Sequence, residues 1–122
     1  MASRTTVLLC DDSRALRMLT SRQLSESGFD VIGEADNGAA AVAQFDALRP
    51  AVVLLDLVMP ELDGKQALRR ILEIDPAARV VILSSLGARN DIEECLRAGA
   101  KSYLQKPIDP DAMVRVLRET VV

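Results

Sequence analysis

The 122-residue chain contains no histidine, which removes from it any imidazole catalysis, histidine-ligated metal or phosphohistidine. If it handles phosphate, the phosphoryl donor is another molecule. Aromatic side chains are nearly missing as well, with no Trp, one Tyr and two Phe, and the formal net charge is −3. A chain with neither a stacking platform nor a basic stripe is expected not to bind nucleic acid directly. The two cysteines, Cys10 and Cys95, share no CxxC or metal-type spacing and lie in apolar segments, so they read as buried thiols in a reducing compartment. No apolar run approaches the roughly 20 residues of a membrane span. Met1 to Thr5 lead into a strand without the apolar stretch and cleavage site of a signal peptide. The expectation is a cytoplasmic protein without membrane association.

What the chain does have is an alternation of two periods. Short β-branched or Leu-rich runs occur at Val7–Cys10, Asp30–Ala35, Val52–Leu55, Val80–Leu83 and Tyr103–Leu104. Between them apolar residues recur at helical spacing, as in Ala41/Phe45/Leu48, Leu68/Ile71/Leu72, Ile92/Cys95/Leu96 and Met113/Val116/Leu117/Val121. Ser13 suits an N-cap, Gly28 and Gly99 suit left-handed helix ends, and Asp109-Pro110 reads as N-cap followed by proline at the first helical position. No linker or repeat interrupts the pattern, so one domain over residues 1–122 is expected. Strict β/α alternation with apolar central strands implies a parallel sheet covered on both faces, a three-layer α/β sandwich.

In such sheets ligands bind beyond the carboxyl ends of the strands. Asp11 and Asp12 follow the first strand and Asp56 ends the third. Taken singly, the first two read equally well as helix-start residues beside Ser13, and Asp56 as the opening of a turn. If strands one and three are neighbours, however, three carboxylates converge, and their mutual repulsion calls for a divalent cation. A small all-oxygen donor set with room for water and phosphate suits magnesium better than calcium, and no EF-hand loop is present. Ser84, ending strand four, and Lys106, following strand five, add a hydroxyl and an ammonium at the same edge, the donors that a transferring phosphoryl group needs.

Asp11-Asp12-Ser13, Leu54-Leu55-Asp56-Leu57-Val58-Met59-Pro60, Asp63-Gly64, Ser84-Ser85, Ala98-Gly99-Ala100 and Tyr103-Leu104-Gln105-Lys106-Pro107 together resemble the receiver domain of two-component response regulators. The likeness runs along essentially the whole chain and leans toward chemotaxis-type single-domain regulators and the receivers of chemotaxis methylesterases. It implies a flavodoxin-like fold, with five parallel strands in the order 2-1-3-4-5 and five helices. It further implies that Asp56 is the phosphoacceptor, with Asp12 a direct Mg2+ ligand, Asp11 acting largely through water, and the Val58 carbonyl a backbone ligand. Lys106 would pair with phosphate, Ser84 would hydrogen-bond a phosphoryl oxygen, and Tyr103 would be the aromatic partner in the switch. A cis Lys106-Pro107 bond is part of the pattern. The implied partners are a sensor histidine kinase or phosphotransfer protein, and a target that docks on the face made by helix four, strand five and helix five.

The chain departs from the commoner pattern in two ways: Ser85 stands where alanine is usual, and Val58 and Leu86, which by resemblance flank the acceptor, are both apolar. Two other readings compete with a signalling switch. An aspartyl-phosphate phosphatase would want a carboxylate two residues after its nucleophile, where this chain has Val58. A binding module with a silent site would lack one of the acids or the lysine, and all are present.

Overall fold

The computed structural model describes residues 4–85 and 87–122; Met1 to Ser3 and Leu86 lie outside the described residues. Strands β1 (Thr6–Cys10), β2 (Asp30–Ala35), β3 (Val52–Asp56), β4 (Val80–Ser84) and β5 (Ser102–Gln105) alternate with helices α1 (Arg14–Glu26), α2 (Gly38–Leu48), α3 (Gly64–Ile74), α4 (Arg89–Ala98) and α5 (Pro110–Val121). All ladders are parallel and the strand order is β2-β1-β3-β4-β5, as the resemblance implies.

The pleat divides the strand residues between two cores. Leu8, Cys10, Val53, Leu55, Val80 and Ile82 face one side, packed with Ala41 and Phe45 of α2, Leu68 and Ile71 of α3, and Cys95 of α4. Val7, Leu9, Val52, Leu54, Val81 and Leu83 face the other, against Leu24 of α1 and Met113 and Leu117 of α5. Every residue of β3 and β4 is buried, which accounts for their apolar runs up to the terminal Asp56 and Ser84.

Ser13 and Asp109 cap α1 and α5 as the sequence suggests, and Asn37 and Asp63 add two caps not expected from the sequence. Ser13, Asn37, Asp63 and Asp109 accept from backbone N–H groups of α1, α2, α3 and α5. Gly28 and Gly99 adopt positive φ at the ends of α1 and α4. The apolar stripes need correction at several positions. Leu48 of α2 and Leu96 of α4 remain exposed. Helix α1, for which the sequence suggests no stripe, leaves Leu16, Met18 and Leu19 exposed, and its inward stripe is Arg17, Thr20 and Leu24.

The register positions the functional edge. Cys10 pairs with Leu55 and Asp56 with Leu83, so Asp11 and Asp56 emerge at one level from adjacent strands, and Ser84 lies one residue beyond. Gly64 completes this edge, since its N–H donates to the Leu57 carbonyl and a Cβ there would collide with the Asp56 carbonyl oxygen. Only glycine lets α3 start so close behind the β3 terminus.

Candidate phosphoacceptor and metal site

The three acids converge. One carboxylate oxygen from each of Asp11, Asp12 and Asp56 lies within 4.8 Å of the other two, with Asp11 and Asp56 buried and Asp12 exposed. Asp11 Oδ1 accepts from the Ser13 N–H at 2.9 Å, and Asp56 Oδ1 accepts from the Val58 N–H at 3.1 Å. These Asx turns fix two carboxylates by the local chain.

Lys106 reaches in from the far side of the sheet edge. Its Nζ lies 2.7 Å from Asp56 Oδ2 and 3.1 Å from Asp11 Oδ2. The residue is anchored by its own N–H, which donates to the Ser84 carbonyl at 2.7 Å, and the Lys106-Pro107 bond is cis. Burial, with a smaller push from the Asp11 charge, raises the carboxyl pKa of Asp56, and this outweighs the hydrogen bonds from Lys106 and Val58 and the attraction of the Lys106 charge. For Lys106, burial works against the ammonium, but the hydrogen bonds to Asp56 and Asp11 prevail and hold its pKa above the ordinary lysine value.

One ammonium among three carboxylates leaves excess negative charge on a cluster of hard oxygen donors. That donor set fits a divalent cation of the magnesium type. Ser84 gives a second sign that the site awaits an oxygen-rich group, for its Oγ is buried without a hydrogen-bond partner among the described residues. Buried hydroxyls are seldom left so, and a phosphoryl oxygen would satisfy this one.

The remaining candidates occupy the periphery. The Val58 side chain is 72% exposed beside the acids and Ser85 is exposed, while Leu86 lies outside the described residues. Tyr103, 46% exposed, lines a groove of about 350 Å³ with Ala88, Arg89, Ile92 and Leu96 of the α4 region and Gln105 of β5. No hydrogen bond joins it to the Ser84 hydroxyl among the described residues.

Sequence reasoning missed Arg17. Its Nη1 donates to the Asp11 carbonyl at 2.7 Å and its Nε to Glu34 Oε1 at 3.3 Å. The signal was present: Arg17 shares the inward stripe of α1 with Thr20 and Leu24, an odd place for a charge unless it has buried partners.

Comparison with known proteins agrees with this geometry. Residues 7–118 match the response regulator receiver domain. The chain is 36% identical over 113 residues to the chemotaxis protein CheY of Thermotoga maritima, covering 93% of this chain and 94% of that one. It is 43% identical over 104 residues to a protein-glutamate methylesterase/protein-glutamine glutaminase of Archaeoglobus fulgidus, covering 83% of this chain and 29% of that protein. The CheX-CheY-BeF3-Mg2+ complex from Borrelia burgdorferi contains a chain that superposes with a TM-score of 0.94 at 31% identity, covering 98% of this chain and 91% of that one. On fold, motif and sequence identity alike, the chain belongs to the response regulator receiver domain family.

Proposed function

We propose that this receiver is a phosphorylation-operated switch in which Asp56 takes a phosphoryl group from the phosphohistidine of a sensor kinase or phosphotransfer protein. A carboxylate oxygen of Asp56 attacks phosphorus as the N–P bond to the donor's imidazole breaks, leaving an acyl phosphate on the aspartate. The observation that carries this reading is the pairing of Lys106 with a buried Asp56 inside a three-acid cluster. The same ammonium that now faces two carboxylates can follow the phosphoryl oxygens.

Asp12, Asp56 and the Val58 carbonyl would hold Mg2+, with Asp11 acting through water; when bound, the ion neutralises the acids and the incoming phosphate charge. Ser84 Oγ, without a partner among the described residues, would donate to a phosphoryl oxygen, and its movement would free space for Tyr103. The change would be read at the face formed by α4, β5 and α5, where the groove beside Tyr103 offers a docking surface to a target protein, in the cytoplasm. CheX, in complex with the Borrelia CheY, is an example of a protein that assembles with a similar receiver. The exposed apolar Val58, standing where a hydrolase of the aspartyl-phosphate type would need a carboxylate, favours a switch over an enzyme that turns over substrate.

The test is labelling by acetyl phosphate or by a phosphorylated histidine kinase. Asp56 should be labelled only with magnesium present, and Asp56→Asn should take up no label. Equal labelling in excess chelator would overturn the metal reading, and labelling of Asp56→Asn the acceptor reading.

A further inference from the structure

The turn that carries the acids is held by a residue that touches none of their carboxylates. The β1 ladder continues one residue past the strand, with the Asp11 N–H donating to the Ala35 carbonyl at 3.0 Å. The next donor in a parallel ladder would be the N–H of Asn37, but there β2 has ended and Asn37 has become the N-cap of α2, its side chain accepting from Ala40. The Asp11 carbonyl is thus left at a strand end without a strand partner. The Arg17 guanidinium supplies the missing donor at 2.7 Å, a short charge-assisted bond, and its Nε reaches across to Glu34 on β2. With the side chain only 15% exposed, the fork spans α1, the end of β1 and β2.

We infer that Arg17 is a positioning residue for the metal-binding acids, an inference that rests on the proposed magnesium site. Every polar group of Asp11 is engaged: N–H with Ala35, carbonyl with Arg17, Oδ1 with the Ser13 N–H, Oδ2 with Lys106. Asp12 is different. Its exposed carboxylate accepts no hydrogen bond among the described residues, so its place is set by the backbone of the turn that Arg17 secures at the preceding residue.

The two effects of removing Arg17 have opposite signs, and this makes the inference testable. Loss of a positive charge near an acidic cluster should by itself tighten cation binding. Loss of the clamp should loosen it, by letting Asp11 and Asp12 wander from the geometry that an octahedral ion demands. Glu34 already offsets much of the guanidinium charge, so the clamp prevails. Arg17→Lys keeps the charge, but one ammonium lacks the planar fork that holds two acceptors at once, and it should fall between Arg17→Ala and the parent.

The experiment is a Mg2+ titration of the unphosphorylated protein, followed by amide shifts of Asp12, Ser13 and Leu57, for the parent, Arg17→Ala, Arg17→Lys and Glu34→Gln. The expected result is a dissociation constant raised roughly fivefold or more in Arg17→Ala, less in Arg17→Lys, and about twofold in Glu34→Gln. Urea unfolding of Arg17→Ala without magnesium should show a protein still folded under the titration conditions, so that the lost affinity is not lost fold. Unchanged or tighter binding in Arg17→Ala overturns the inference. Should that variant fail to fold, Arg17→Lys and Glu34→Gln decide it, parent-like affinity in both being the overturning result. A parent that binds no magnesium would instead overturn the metal site itself.

Discussion

The Lys106 ammonium lies 2.7 Å from Asp56 and 3.1 Å from Asp11, so one cation ties together the acids that close two adjacent strands. Removing it leaves buried carboxylates facing each other. We expect Lys106→Met to lower stability by about 2 kcal/mol in magnesium-free buffer, below the value for a fully buried pair because the site opens to water. Magnesium should restore more stability to the variant than it adds to the parent. Urea unfolding with and without the ion measures both. A loss under about 0.5 kcal/mol would place the pair with ordinary surface ion pairs.

Asp56 gives a pH dependence of definite sign. Burial raises its pKa in the folded state, so the native protein holds this proton more tightly than the unfolded chain does. The contribution to stability is therefore fully present below the ordinary carboxylate value and is lost as pH rises through the raised one. Asp56→Asn should be more stable than the parent at neutral pH without magnesium, the advantage shrinking as the pH falls through the raised pKa. Lys106 retains Asp11 as a partner in the variant. A parent that is the more stable at pH 7 would contradict the burial argument.

Much of this was legible in the sequence because strands that are buried on both faces must be apolar along their length, and β3 and β4 are so up to their terminal Asp56 and Ser84. Caps at Ser13 and Asp109 fixed where α1 and α5 begin, and the acids fell at strand ends by position alone. Helix α1 was less legible. Its visible leucines, Leu16 and Leu19, point outward, while the inward stripe carries Arg17, because the β1 end needs a hydrogen-bond donor more than another methyl group. Convergence of the acids to within 4.8 Å depended on β1 and β3 being neighbours, a fact of tertiary order that local pattern does not contain.

Ser84 tests whether the resting site is waiting for a ligand. A buried hydroxyl without a partner lowers stability by about 1–3 kcal/mol relative to a satisfied one. Ser84→Ala should therefore be neutral, or stabilising by up to about 1 kcal/mol, in the unphosphorylated protein. It should also reduce the amide-shift changes that beryllofluoride produces at residues 87–90 and Tyr103. A destabilisation above about 1 kcal/mol would mean that the hydroxyl is already bonded in the resting state.

The cysteines should be chemically silent. Burial, with help from the neighbouring Glu94 charge, pushes the Cys95 thiol up to about 11, and burial raises Cys10 further. At pH 8 roughly one Cys95 in a thousand is thiolate, so a disulfide reagent should label the native protein only at the rate of its opening and both thiols at once in urea. Because the folded value is the higher one, stability associated with Cys95 is complete below the ordinary thiol pKa and is lost as pH rises through about 11. Cys95→Ala should show a flatter stability profile over that range. Rapid native labelling at pH 8 would refute the assignment.

The lifetime of the phosphorylated state should depend on Val58. Hydrolysis needs a water in line with phosphorus, and the Val58 side chain stands exposed beside Asp56, joined to it through the Val58 N–H bond to Oδ1. A branched apolar group there can shield the approach but cannot orient water, whereas a carboxamide could do so, as positioning groups do in other phosphoryl transfers. The backbone of residue 58 keeps its hydrogen bond and its carbonyl whatever the side chain, so substitution should alter hydrolysis more than phosphorylation. Val58→Asn alone should quicken dephosphorylation several-fold. Combined with Leu86→Glu the gain should be on the order of tenfold, about 1.4 kcal/mol of barrier. The measurement is loss of label after the phosphodonor is removed, at saturating magnesium. A double variant that is phosphorylated normally yet loses its label no faster than the parent would show that access of water is governed elsewhere in the site.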